Sequence, residues 1–277
     1  MKKILFVAII IILFLLGLFL LFYSDISSWY NDRIQRGLTQ TYNEDVARIN
    51  SEEIENHFRR AREFNEALLT NGTIIEDPFS AGEFNHALSF EKYLDILNIR
   101  GVMGHLEIPL INVHLPIFHT TSMAVLDRGV GHIEGTSFPI GGIGTHSVLT
   151  AHSGLVHSTM FDDLEKMGIG DLFFINVLNK TLAYEVDQIE IVLPHEVESL
   201  RINRDKDQMT LITCTPYAIN THRLLVRGQR IPFSAGMQDE IEIIIRSFDF
   251  RKIILFIILF LFFLMLILFG KKKKKDR

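Results

Sequence analysis

The sequence is poor in cysteine, and its single thiol, Cys214, excludes a framework of intramolecular disulfides. It has no internal repeat, so a repeat architecture is excluded as well. A Gly-x-Ser-x-Gly elbow is also missing, which argues against a serine hydrolase. An unpaired cysteine in an exported protein indicates intermolecular pairing or a reactive thiol, and the alternative is a buried cysteine that acts as a small hydrophobic residue.

Positive charge is scarce between the two ends of the chain. The ends carry 10 of the 28 basic residues and one of the 33 acidic residues, so residues 24–250 have a net charge of −14. Binding to nucleic acid depends on neutralising phosphates with cations. A nucleic-acid partner is therefore not expected.

Two apolar runs lie at the ends, residues 4–22 after Lys2 and Lys3, and residues 253–269 before Lys271–Lys275. A membrane span needs about 20 apolar residues, with a lower limit of about 17. Because basic flanks stay in the cytoplasm, we expect two transmembrane helices with both ends inside and the intervening domain outside. The lysine tail then rests on anionic membrane lipid. A cleaved signal peptide at 4–22 is the alternative, although LLFYSDISS offers a poor cleavage site.

Periodicity divides the chain into helical and β-rich parts. Residues 25–69 have apolar side chains at helical spacing, which predicts one or two amphipathic helices. Closely spaced turn signals from about residue 98 onward predict short strands of an all-β barrel or sandwich. The detailed predictions are a loop at 74–83, helices at 83–97, 160–171 and 237–250, and a hairpin tip at Asn179–Lys180. The predicted regions are 1–23 (first span), 24–97 (helical region with the loop), 98–235 (β domain) and 236–277 (helix, second span and tail).

Cys214 needs help to act as a nucleophile, since a thiol with a pKa of about 8.5 is only slightly ionised at neutral pH. A histidine base and a nearby cation would supply that help. His152 ends an apolar strand, THSVLTAH, but His146 shares its face by period-two alternation. Arg223 and Arg227 share a face in the same way, so periodicity leaves both choices open. The histidines are scattered without ligand spacing, and neither a metal nor a cofactor is expected.

Several segments resemble sortases, the cysteine transpeptidases of Gram-positive cell surfaces. The resemblance is carried by TLITCTPYAINTHRLLVRG (210–228), GHIEGTSFPIGGIGTHSVLTAHSGL (131–155) and FDDLEKMGIGDLFFI (161–175). EDPFSAGE (76–83) resembles the lid of class C sortases, which build pili, and a C-terminal span with a basic tail is typical of that class. The resemblance implies a mainly β fold, a sortase-type barrel with short helices, preceded by a helical segment and the lid loop. Ser153 departs from the basic residue that many relatives carry after the histidine.

The resemblance also implies roles for individual residues. Cys214 is the expected nucleophile, His152 the general acid and base, and Arg223 the cation that positions substrate and stabilises the oxyanion. In the lid, Asp77 is expected to pair with Arg223 as an exposed ion pair, worth about 0–1 kcal/mol, and Phe79 to cover the thiol. The expected partners are pilin precursors with an LPxTG-like sorting signal and the acceptor lysine of the next pilin, which becomes joined through an isopeptide bond.

Two other functions remain possible on the sequence. A housekeeping sortase would anchor surface proteins to peptidoglycan, although the lid motif and the second apolar run argue against it. A membrane-anchored scaffold without enzymatic activity would use the acidic domain alone, and its function would survive alkylation of the thiol.

Overall fold

The computed structural model describes residues 2–71, 77, 79, 90–155, 158–234 and 237. The chain divides into two units, Met1–Ser234 and Ala235–Arg277, and the fold below is that of the first unit. The predicted helix at 237–250, the second apolar run at 253–269 and most of the lid loop lie outside the described residues.

Two long helices precede the β domain, as the periodicity predicted. Helix α1 spans Lys2–Val46 and helix α2 spans Ser51–Asn71. Asn50 separates them and caps α2, because its Oδ1 accepts a hydrogen bond of 2.8 Å from the backbone N–H of Glu53. Short helices α3 (Phe90–Asp95) and α4 (Met123–Leu126) follow. No helix in the described part of the chain combines the length and the apolarity needed to cross a membrane.

Eight strands form a closed barrel, which confirms the predicted β-barrel. The strands are β1 (Gly104–Ile108), β2 (Val113–His119), β3 (Val130–His132), β4 (Thr145–Thr150), β5 (Leu172–Val177), β6 (Lys180–Val192), β7 (Asp207–Thr215) and β8 (His222–Ile231). Their order around the barrel is β1-β2-β3-β4-β7-β8-β6-β5. Pairs β2–β3 and β4–β7 are parallel and the other pairs are antiparallel. Closure leaves no free sheet edge to pair with another chain.

Strand β7 is buried on both of its faces, and this places Cys214. Leu211 belongs to the central hydrophobic core, whereas Ile212 belongs to a second cluster with Val148 and Leu225. Successive side chains of a strand point to opposite faces. Cys214 therefore shares the face of Ile212, and the second cluster forms the floor beside the thiol.

Three local predictions need correction. The β5–β6 hairpin turns at Leu178–Asn179, because Lys180 is already the first residue of β6. The predicted helix at 160–171 contains only one 3₁₀ turn, Leu164–Lys166. The backbone N–H of Phe161 donates to the carbonyl of His152 over 3.0 Å, and the hydrogen bonds within the segment join residues three apart instead of four. Within 83–97, the described helix is limited to α3.

Candidate active site

The β7–β8 pair places Cys214 directly opposite Arg223. The two are register partners in the antiparallel ladder, and each is only 8% exposed. Side chains opposite each other in such a ladder have Cβ atoms about 4.5–5.5 Å apart. The register thus brings the thiol and the guanidinium together, as the sequence predicted.

His152 follows β4, which runs parallel to β7 with Thr150 paired to Ile212. The ladder continues past the strand end, since the N–H of Ala151 donates to the carbonyl of Ile212 over 3.3 Å. The hydroxyl of Ser153 then donates to the carbonyl of Cys214 over 2.8 Å. His152 lies between these two contacts, so the backbone that carries it is attached to the strand that carries the thiol.

The competing candidates, His146 and Arg227, belong to other networks. His146 Nε2 lies 2.7 Å from Thr210 Oγ1 and its Nδ1 lies 3.1 Å from the carbonyl of Arg201. Burial lowers the pKa of His146 to about 4, so its ring is neutral. Arg227 donates to both carboxylate oxygens of Asp187 over 2.8 and 2.9 Å. Both residues are thus engaged elsewhere, and of the two arginines Arg223 is the one that the register places opposite Cys214.

Asp77 holds the guanidinium of Arg223 with two parallel hydrogen bonds. Nε and Nη2 each lie 2.7 Å from a carboxylate oxygen of Asp77. The side chains are only 10% and 13% exposed. The expectation of an exposed ion pair is therefore wrong, because the barrel and the lid shield this pair from water and a shielded, bidentate pair is stronger than a surface pair.

Phe79 covers the same group of residues. Its ring centroid lies 5.5 Å from that of His152, and the guanidinium carbon of Arg223 lies 5.0 Å above the Phe79 ring. Phe79 also packs against the second hydrophobic cluster, beside Ile212 and Leu225. The two described lid residues thus contact both expected partners of the thiol.

The environment of Cys214 opposes ionisation. Burial raises the pKa of the Cys214 thiol above its ordinary value, the guanidinium of Arg223 lowers it, and the carboxylate of Asp77 raises it. Asp77, a residue of the lid loop, is therefore one of the causes that raise the pKa of this thiol.

Ser153 and Asp162 support the site and were not predicted in this role. Asp162 Oδ1 accepts a hydrogen bond of 2.6 Å from the N–H of Gly154. With the Ser153 contact to Cys214, it fixes the loop that follows His152. Neither residue type is diagnostic in sequence, since serine and aspartate are common in loops and the Ser153 contact joins residues 61 positions apart. The one described group of side chains with metal-ligand geometry lies elsewhere, on β1 and β2.

Comparison with known proteins identifies the fold. Residues 106–231 match the sortase domain model. The structure of Streptococcus pneumoniae sortase C is 41% identical, covers 72% of this chain and 98% of its own, and superposes with a TM-score of 0.67. The chain belongs to the sortase family. Streptococcus agalactiae sortase C1 is also 41% identical, with 71% and 95% of the two chains covered and a TM-score of 0.65. These matches support class C, as the lid motif indicated.

A more distant relative is sortase D of Bacillus subtilis, which is 28% identical over 131 residues. That match covers 46% of this chain and 63% of the relative. The matched part of this sortase therefore spans less than two thirds of the length of that curated relative.

Proposed function

We propose that this sortase is a cysteine transpeptidase of pilus assembly, which cleaves an LPxTG-like sorting signal and joins pilin subunits. The observation that carries the proposal is the pairing of Cys214 with Arg223 across β7 and β8, with the His152 loop bonded to the same strand. The sortase C of Streptococcus pneumoniae has pilin substrate specificity. The lid residues on Arg223 and His152 favour the same class over a housekeeping sortase.

The first step forms an acyl-enzyme. The thiolate of Cys214 attacks the threonine carbonyl of the sorting signal, and a C–S bond forms. Arg223 stabilises the oxyanion of the tetrahedral intermediate, since a guanidinium donates hydrogen bonds to developing negative charge. When the intermediate collapses, the C–N bond to glycine breaks and His152 donates a proton to the departing amine.

The second step transfers the acyl group. The neutral ε-amine of the acceptor lysine attacks the thioester carbonyl, and His152 accepts the proton that the amine loses. A C–N isopeptide bond forms, the C–S bond breaks, and Cys214 leaves as thiolate. Water attacking in place of lysine would release a free carboxylate, so exclusion of water favours transpeptidation over hydrolysis.

The lid must leave before the first step. Asp77 occupies Nε and Nη2 of Arg223, and the carbonyls of Asn220 and His222 accept from Nη1 over 3.1 Å each. These contacts use four of the five N–H groups of the guanidinium, so only one N–H, on Nη2, is left for a substrate oxyanion. Release of Asp77 frees two more. The lid contacts therefore describe a resting, self-inhibited state.

Membrane attachment is part of the proposal. The apolar runs at 4–22 and 253–269, with their basic flanks, support two spans with the barrel on the extracellular face. Leu13, Leu16 and Phe19 of the first run are 61%, 52% and 55% exposed. Tethering enzyme and substrate to one membrane raises their effective concentration.

Mass spectrometry of an acyl-enzyme tests the proposed reaction. The Asp77→Ala variant is mixed with a pilin that carries a sorting signal, and a thioester on Cys214 is expected. Addition of a second pilin should consume the thioester and give an isopeptide-linked dimer, whereas a peptidoglycan amine should not. Cleavage that persists in the Cys214→Ala variant would overturn the nucleophile assignment, and preferential use of the peptidoglycan amine would support the housekeeping role.

A further inference from the structure

Three side chains with metal-ligating atoms converge on β1 and β2. The ladder pairs Glu107 with His114, and His105 lies two residues earlier on the same face of β1. His105 Nε2 lies 3.1 Å and His114 Nδ1 lies 3.5 Å from Glu107 Oε1. One ligand atom from each residue lies within 4.8 Å of the other two. This group, the β1–β2 triad, is separate from the active site on β7 and β8.

The separations fit a tetrahedral cation. Zinc binds imidazole nitrogen and carboxylate oxygen at about 2.0–2.2 Å, and tetrahedral angles then place neighbouring ligand atoms about 3.4 Å apart. The observed 3.1 and 3.5 Å between the carboxylate oxygen and the two ring nitrogens bracket that value. Two histidines and one carboxylate are also a ligand set found in zinc sites that keep a fourth position for water.

The surroundings of His114 fix which nitrogen faces the triad. Thr39 of α1 donates its hydroxyl proton to the carbonyl of Arg36 over 2.9 Å, so its oxygen accepts from His114 Nε2–H over 2.8 Å. The lone pair of Nδ1 is therefore directed at Glu107 Oε1. A lone pair and a carboxylate oxygen repel each other, and a cation between them removes that repulsion.

Glu107 and His105 complete the arrangement. Asn176 Nδ2 donates to Glu107 Oε1 over 3.0 Å, as the outer partners of ligating carboxylates do. The His105 side chain is 4% exposed, and its Nδ1 is buried with no hydrogen-bond partner among the residues that the structure describes. The nitrogen that faces Glu107 and would bind a cation is Nε2. Arg36, the cation that acts electrostatically on Glu107 and His114, directs its Nη2 at Asn112 Oδ1 over 3.4 Å.

We propose that His105, Glu107 and His114 form a zinc-binding site whose outer partners, Thr39 and Asn176, come from α1 and β5. Imidazole and carboxylate ligands suit zinc among the divalent cations. The bound ion would join β1 to β2 and hold α1 against the barrel through Thr39. The sequence alone did not indicate this site, because its histidines show no ligand spacing along the chain. The pairing of β1 with β2 brings them together. The proposal is independent of the transpeptidase function.

Zinc titration of the full-length Cys214→Ala variant in detergent tests the proposal, since that background removes the thiol as a competing ligand. One zinc per chain is expected, measured against a chromophoric chelator. At a hundredfold excess of free zinc over Kd, the melting temperature should rise by at least about 5 °C. His114→Gln should weaken binding by more than about 100-fold, and Thr39→Val by about 10–100-fold. His195→Gln, an exposed histidine on the β6–β7 connection, should change neither measurement.

The outcomes separate the site from a simple hydrogen-bond network. Stoichiometric binding that is lost in His114→Gln and retained in His195→Gln supports the site. Absence of stoichiometric binding, or equal affinity in His114→Gln, overturns it. If His114→Gln does not fold, Thr39→Val decides, since it removes one hydroxyl and no ligand: zinc affinity equal to that of the parent overturns the proposal.

Discussion

At the scale of single residues, we propose that Asp77 controls both the charge and the accessibility of the thiol. It engages Arg223 and raises the pKa of Cys214, which burial has already raised. In Asp77→Ala the pKa of Cys214 should fall, so the pH profile of alkylation should move to lower pH. At neutral pH, alkylation should be at least about tenfold faster, which corresponds to about 1.4 kcal/mol, less than one charge-assisted hydrogen bond typically contributes. Iodoacetamide labelling followed by mass spectrometry measures both effects.

Asp187→Ala is the matched control for that substitution. Asp187 forms the same kind of bidentate pair with Arg227 on the same strand, and its side chain is 25% exposed. The Asp187→Ala substitution removes the same charge as Asp77→Ala, but Asp187 does not contact the thiol. Equal labelling rates in Asp77→Ala and Asp187→Ala would show that Asp77 exerts no specific control over Cys214.

From residue types and strand alternation alone, two histidines and two arginines remained as candidates for the site. Period-two alternation places His146 with His152, and Arg223 with Arg227, because members of each pair differ by an even number of positions. Family resemblance selected His152 and Arg223. The structure gives the physical reason, since β7 pairs Cys214 with Arg223 and Thr210 with Arg227. Register is a property of two strands together, so neither strand alone reveals it.

At the scale of elements, the lid should behave as one unit because Asp77 and Phe79 share Arg223 as a partner. Removing Asp77 frees the guanidinium and so weakens its contact with the Phe79 ring. Residues with a shared partner show coupling of about 0.5–3 kcal/mol. Phe79→Ala alone should speed alkylation about 2–10-fold, from aromatic contacts worth about 0.5–1.5 kcal/mol. The double variant should be slower than the product of the two single effects.

A second double variant, Asp187→Ala with Phe79→Ala, provides the comparison. Asp187 pairs with Arg227, whereas Phe79 contacts Arg223 and His152. Their effects on alkylation should therefore multiply. If the effects of Asp77→Ala and Phe79→Ala also multiply, the two lid residues act independently and the view of the lid as a single unit fails.

The buried hydroxyl of Tyr42 is one of the contacts that hold helix α1 against the barrel. Tyr42 is 2% exposed, donates to the carbonyl of Met103 over 3.0 Å and accepts from the N–H of Leu178 over 2.7 Å. Tyr42→Phe leaves two buried backbone groups unpaired, which should cost about 1–3 kcal/mol of unfolding free energy. Thermal unfolding should show a drop of about 2–4 °C per kcal/mol. Tyr30→Phe, on the same helix at 60% exposure, should have almost no effect, and equal losses in both variants would contradict this docking.

Helical periodicity predicted α1 and α2 but gave no sign of this docking. The apolar spacing shows that one face of 25–69 is buried without naming the surface that buries it. The contacts of Tyr42 span 61 and 136 residues of sequence. The segment 160–171 is not an α-helix, since the N–H of Phe161 bonds to the carbonyl of His152 outside the segment and its internal bonds join residues three apart. A local sequence pattern predicts an element reliably when the residues that contact the element are near it in the sequence. The prediction is unreliable when those residues are far away.

At the scale of the whole molecule, closely spaced turns predicted a barrel or a sandwich and could not separate them. A sheet is a closed barrel only if the two strands at the ends of its spatial order pair with each other. Here those two strands are β1 and β5, and their pairing closes the sheet. Closure also explains why both faces of β7 are buried, one by the central core and the other by the cluster beneath Phe79. The site lies where the lid, β4, β7 and β8 meet, which is a product of the complete topology.

The proposed topology can be tested with the one cysteine that the chain contains. Positive flanks at both ends predict that the ends stay inside and the barrel lies outside. In intact cells, a membrane-impermeant maleimide should label Cys214 of the Asp77→Ala variant to the same extent as after lysis. A second variant, Cys214→Ala with Gly270→Cys, places the thiol beside the lysine tail and should be labelled only after permeabilisation. Labelling of Cys214 only after lysis would place the barrel in the cytoplasm, where it could not meet exported pilins. Labelling of the Gly270→Cys thiol in intact cells would leave a single crossing, because the tail would then share the side of the barrel.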